Sequence, residues 1–72
     1  MVTTVLERYD SECGDFAEIA CEIGEATYMA SIYGDGFKLK FMETHIDIES
    51  ARKAITDRLP QPYTVTRPQR RV

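Results

Sequence analysis

Reactive side chains are scarce in this chain: one histidine, His45, and two cysteines, Cys13 and Cys21. Hydrolytic chemistry at His45 would need a nucleophile and an orienting carboxylate converging on it, and Glu43-Thr44-His45 shows no such constellation. The sequence places His45 in a solvated connection between a strand and a helix. Cys13, Cys21 and His45 lack the closely spaced ligand pairs of structural zinc sites, so no metal is expected. Gly34-Asp35-Gly36 lacks the longer glycine pattern and the following Lys-Ser/Thr of a nucleotide loop and reads as a hairpin turn. Asp10, Glu12 and Asp15 do not match a calcium loop, which needs glycine at position six and glutamate at twelve. These residue types predict a non-enzymatic protein with no catalytic residues and no cofactor.

Charge is the stronger signal. Residues 1–36 hold eight acids against Arg8 alone, a net of −7, while residues 37–72 hold eight bases against four acids, a net of +4. A split of this size predicts an acidic and a basic side to the folded surface, which bears on partners rather than on fold. The acidic candidates for partner binding are Glu18, Glu22, Glu25, Asp10, Glu12 and Asp15, with Phe16, Met29 and Tyr33 as apolar anchors. The basic candidates, for a nucleic-acid surface, are Lys38, Lys40, Arg52, Lys53, Arg58, Arg67, Arg70 and Arg71.

The elements that must position these residues follow from periodicity. With 72 residues, 43% hydrophobic and 29% charged, the chain has the composition of one globular domain. A domain this small buries only about 60% of its unfolded surface, so dimerisation would help it. The fold class expected is α+β: a three- to four-stranded antiparallel meander with one amphipathic helix packed on one sheet face. A single domain is expected over residues 1–65, with strands at 16–23, 26–33 and 37–42, a helix at 47–59, and a basic tail at 66–72.

Gly24 suits a two-residue type II′ turn and Asp35-Gly36 a type I′ turn. Pairing outward from these turns sets Ile19 opposite Ala30, Ala17 opposite Ile32, Ile32 opposite Leu39 and Ala30 opposite Phe41, one apolar face across three strands. The opposite face then carries Phe16, Glu18, Glu22, Met29, Ser31 and Tyr33, with Lys38 and Lys40, and a row Glu18, Ser31, Lys40. Phe16, Ile19, Ala20 and Ile23 also fit a helical stripe, an alternative that explains only its own segment. Ile48, Ala51, Ile55 and Leu59 recur at helical spacing, with Asp47 as N-cap and Pro60 as terminator. Val2 to Tyr9 reads as a further strand, broken in alternation at Val5-Leu6, and Tyr63 and Val65 as packing back or adding a short edge strand. Cys21 is expected in the core and Cys13 in a polar loop.

Thr27 to Leu59, with Phe41, Glu43-Thr44 and Glu49-Ser50-Ala51-Arg52-Lys53-Ala54 in order, resembles the strand-and-helix DNA-binding domain of plant ethylene-response factors and of tyrosine-integrase N-termini. Those domains read the major groove with arginines and tryptophan on the exposed sheet face. Here that face offers Glu18 and Glu22 and the chain has no Trp, so the resemblance extends to topology, and none of that family's DNA-contacting residues carries across. In size and acidity the chain is similar in type to phage and mobile-element inhibitors of host machinery, anti-CRISPR proteins included. That similarity implies a module that blocks a basic or nucleic-acid-binding surface of a larger host protein complex, with a small DNA- or RNA-binding regulator as the alternative. Either accommodates a homodimer. The N-terminus shows no basic region followed by a hydrophobic stretch and no apolar run is long, so a cytoplasmic protein is expected, in the host cytoplasm if phage-encoded.

Overall fold

Alternation along Phe16–Glu22 puts Ala17 and Ile19 inside, and the segment is a strand, not a helix. The computed structural model describes residues 3–22, 24 and 26–67. Five strands, β1 (Thr3–Ser11), β2 (Phe16–Glu22), β3 (Tyr28–Tyr33), β4 (Leu39–His45) and β5 (Tyr63–Thr66), form one antiparallel sheet in the order β4-β3-β2-β1-β5. Between β4 and β5 the chain crosses the sheet through one helix, α1 (Ile48–Thr56). The strand count exceeds the expected three to four because both uncertain ends, around Val5 and around Tyr63, pair with the meander.

The β2–β3 register is the expected one: Ala17 opposes Ile32 and Ile19 opposes Ala30, with Gly24 at φ +91° between the strands. The expected pair at Ile23 lies outside the described residues. The second hairpin differs. Asp35-Gly36 is not a two-residue turn; Asp35–Phe37 form a 3₁₀ turn with Gly36 and Phe37 both at positive φ. It is closed by the Gly34 N–H donating to the Lys38 carbonyl at 2.7 Å. The longer loop slides the start of β4 by one residue, so Tyr33 faces Leu39, and a bulge in β4 adds a second, so Ile32 faces Phe41 and Ala30 faces Glu43. An even slip preserves sidedness, and Phe41 still packs against the core.

Two bulges complete the register. In β4 the pairing passes from Ile32↔Phe41 to Tyr33↔Leu39, leaving Lys40 as the extra residue. Lys40 turns to the helix side, where its Nζ meets Asp15 Oδ2 at 2.9 Å. Its stem lies where a Cβ on Gly34 would stand, 2.7 Å from Lys40 Cδ. The expected row Glu18, Ser31, Lys40 is therefore Glu18, Ser31, Met42, and Leu39 joins Tyr33 on the opposite face. In β1 the broken alternation at Val5-Leu6 is the other bulge: Val5 opposes Ala20 while Glu7 opposes Ile19. Glu7, Tyr9 and Ser11 then point toward the helix side.

Helix α1 starts where expected, with Asp47 accepting from the Ser50 N–H at 2.8 Å. It loosens into turns at Asp57 and Arg58 before Pro60, so its regular part is shorter than 47–59. It lies over β3, with β2 and β4 to either side. Ala51 and Ala54 meet a sheet whose inner face is Ala17 and Ala30, small against small, while Ile19, Ile32, Ile55, Leu59 and Tyr9 fill the flanks. Cys21, expected in the core, is only half-buried because it pairs with Thr4 near the end of the sheet. Thr66 closes β5 rather than opening a tail, and residues 68–72 lie outside the described residues.

With so little core, single deletions should be felt. Ile55→Ala removes a fully buried side chain and is expected to cost about 2–5 kcal/mol. Asp47→Ala should cost about 1 kcal/mol. Urea unfolding followed by circular dichroism checks both, as falls in midpoint in that order; equal losses would show that α1 is not held by its packed face.

Candidate protein-docking face

The helix covers one side of the sheet. Among the described residues nothing packs on the other side, and there the sheet's side chains form the surface. Arg8, Glu18, Ser31 and Met42 make one row across β1 to β4, and Asp10, Phe16, Tyr33 and Leu39 make the next. Phe16 stacks on Tyr33 with ring centroids 5.0 Å apart, and Phe37 meets Phe16 edge-on at 5.6 Å. The Arg8 guanidinium lies 4.2 Å above the Phe16 ring, 3.1 Å from Asp10 and 3.7 Å from Glu18. Leu39 and Met42 are each 48% exposed and Phe37 is 76% exposed. A shallow pocket lined by Ala20, Cys21, Glu22, Thr27, Met29 and Thr44 continues this surface toward the other end of the strands.

The fold thus brings together Phe16, Met29, Tyr33, Asp10, Glu18 and Glu22 from the acidic set. Glu12 is exposed on the β1–β2 turn, Asp15 faces Lys40 on the helix side, and Glu25 lies outside the described residues. The basic set is dispersed and largely paired. Arg52 bonds Glu7 and Glu49, Lys53 bonds Asp57 at 3.1 Å, and Lys40 bonds Asp15, which holds its ammonium above the usual 10.5. Arg58 lies over the Phe41 ring at 4.2 Å and donates to the Ala54 carbonyl. Lys38 is exposed beside the 3₁₀ turn, and Arg70 and Arg71 lie outside the described residues.

His45 shares a surface depression with Glu43, Ser50 and Lys53. Its Nε2 is 2.9 Å from Glu43 Oε1 but out of line for a hydrogen bond, and the Ser50 hydroxyl donates to Asp47. Among the described residues no three His, Cys, Asp or Glu side chains are grouped to hold a metal ion, and no helix is long and apolar enough to cross a membrane.

Glu7 is the residue that sequence reasoning missed. It is 2% exposed and accepts from Tyr9 Oη at 2.8 Å, from Arg52 Nη2 at 2.6 Å and from Arg67 Nε at 3.0 Å. Burial pushes its carboxyl up, and the bonds from Arg52, Tyr9 and Arg67 outweigh it, holding the group below its usual 4.5. Tyr9 is driven the other way, far above its usual 10, by burial and by its bond to the carboxylate. The signal was the alternation Glu7-Tyr9-Ser11 opposite Ala17 and Ile19, masked by the bulge beside it. Ser11 extends the same tie by donating from Oγ to the Pro60 carbonyl at 2.7 Å.

Comparison with protein families, with curated proteins and with solved structures finds no match to this chain.

A carboxyl held below its unfolded value binds protons less readily when folded, so its contribution is present above about pH 4.5 and is lost as pH falls through the folded value. Glu7→Gln is expected to flatten the acid side of a stability-against-pH curve; an unchanged acid limb would remove Glu7 from this account. Arg52→Ala leaves the buried carboxylate short of its main partner and should cost about 3 kcal/mol in urea unfolding at pH 7.

Proposed function

We propose that this protein is a non-enzymatic binding module whose uncovered sheet face occupies a basic, nucleic-acid-binding surface of a larger protein complex. In this it is similar in type to phage and mobile-element inhibitors of host machinery, anti-CRISPR proteins among them, and its place of action would be the host cytoplasm if it is phage-encoded. The observation that carries the reading is Phe37. A non-glycine residue at φ +62° costs about 1–2 kcal/mol, yet here it bears a large ring that is 76% exposed and continues the Phe16–Tyr33 stack. Folding gains little from that arrangement, whereas a partner gains an aromatic anchor.

The chemistry of the partner follows from charge. On this face Asp10 and Glu18 beside the aromatic cluster, with Glu22 at the other end of β2, outnumber Arg8, which favours a basic surface over nucleic acid. The alternative, a DNA- or RNA-binding regulator, has less support because Arg8, Lys40, Arg52, Lys53 and Arg67 each sit within 4 Å of a carboxylate.

The test is capture by tagged protein from nuclease-treated lysate of its native host at about 50 mM and about 300 mM salt, followed by identification of what is retained. The expected result is one stoichiometric nucleic-acid-binding protein, lost at the higher salt and displaced by added nucleic acid. Reversing Glu18 and Glu22 to Lys should weaken capture by about tenfold or more. Phe37→Gly should abolish it without lowering the melting temperature. Retention indifferent to these substitutions would overturn the proposal, and recovery of nucleic acid alone from untreated lysate would favour the alternative.

A further inference from the structure

We infer that the outer edge of β4 takes a second copy of this chain, pairing antiparallel about Met42 to make one ten-stranded sheet. The two edges of the sheet are unlike. β5 is four residues long, follows Pro62 and runs toward Pro68, and proline cannot donate to a ladder. The part of β1 that β5 leaves uncovered carries the Leu6 bulge, which spoils it as a template. β4 spans seven residues, contains no proline, and among the described residues pairs only with β3; its own bulge, at Lys40, lies near its start and leaves Phe41–His45 regular. Its outer backbone groups are an unoccupied template, and Leu39 and Met42 flank it half-exposed.

The occupant follows from the order of charges along β4. Lys38 just precedes β4, Lys40 stands near its start and Glu43 near its end. Antiparallel pairing of two such strands sets the basic start of each against the Glu43 of the other, whereas parallel pairing sets like against like. With the two-fold axis at Met42, Phe41 opposes Glu43 of the second copy, and the Lys40 ammonium, held by Asp15 at 2.9 Å on the same side as Phe41, takes that Glu43 as a second carboxylate near it. On the uncovered face, Met42 meets its own counterpart and Leu39 meets Thr44, so the apolar strip runs unbroken through the junction.

The helices allow this approach. With α1 over β3, the two helix axes are three strand spacings apart, about 14 Å, wider than the 8–10 Å of packed helices. An edge contact of one strand per copy is small, which predicts a weak dimer with a dissociation constant in the micromolar range. The inference concerns the edge and not the docking face, and it stands or fails apart from the docking proposal.

Sedimentation equilibrium from about 5 µM to about 500 µM tests it, together with hydrogen exchange of the β4 amides at both ends of that range. Mass is expected to rise from 8.2 kDa toward twice that value, with the alternate, outward-pointing amides of Phe41–Thr44 gaining protection in parallel. Met42→Glu puts like charges on the two-fold axis and should weaken association by about tenfold or more, as should Met42→Lys. An equimolar mixture of the two variants should recover it, which also shows that both fold. A protein that stays monomeric throughout, a dimer indifferent to Met42→Glu, or a dimer whose β4 amides exchange at the monomer rate would overturn the inference. The last outcome would place the contact on the uncovered face.

Discussion

A carboxylate with 2% of its surface in contact with water can stay ionised only if its oxygens are satisfied from all sides. Glu7 meets that requirement with donors from three parts of the chain: Tyr9 in its own strand, Arg52 on α1, and Arg67 just past β5. Each donor depends on the others being in place. The helix must lie over the sheet at the angle that delivers Arg52, and β5 must pair with β1 for Arg67 to arrive. A buried ion pair adds little net stability over an apolar substitute, but leaving one partner out is costly, so the arrangement selects one topology from several. It ties the crossover to the first strand in a protein whose apolar core is small.

That core is built from alanines at its centre. Ala17 and Ala30 under Ala51 and Ala54 let the helix sit close to the sheet, and close approach allows the Arg52 side chain to reach β1. The bulge at Leu6 does the complementary work by turning Glu7, Tyr9 and Ser11 to the helix side. The bulge at Lys40 has the opposite outcome. It withdraws a lysine from the uncovered face to Asp15 and leaves Leu39 and Met42 beside the Phe16–Tyr33–Phe37 cluster. The two irregularities in strand pairing thus separate a polar, internally paired side from an apolar, acid-rimmed one.

The charge split has a corresponding meaning. Much of the basic half is used within the molecule, where Arg52, Arg67, Lys40 and Lys53 neutralise Glu7, Asp15 and Asp57. What remains on the uncovered face is mostly the acidic half with aromatic rings among it. On the proposed docking role, a basic protein partner would gain affinity from the rings and association rate from the carboxylates, which repel phosphate.

Local patterning alone determined the α+β class, the β2–β3 register, and the start and apolar face of α1. Gly24 pins one hairpin and Asp47 with Pro60 brackets the helix through interactions that span only a few residues. The sequence also marked the β1 irregularity, as adjacent Val5 and Leu6, without saying what it was for. Tertiary structure decided the rest. The β4 slip follows in part from the Lys40 bulge and in part from a 3₁₀ turn whose last residue is an unfavourably placed phenylalanine, a choice that local propensity argues against and the aromatic cluster with Phe16 accompanies. The assignment of Arg52 and Arg67 to a buried acid 45 and 60 residues away is equally beyond periodicity. A pattern records which face a side chain takes, but the partner a charge finds depends on which elements come together across the sheet.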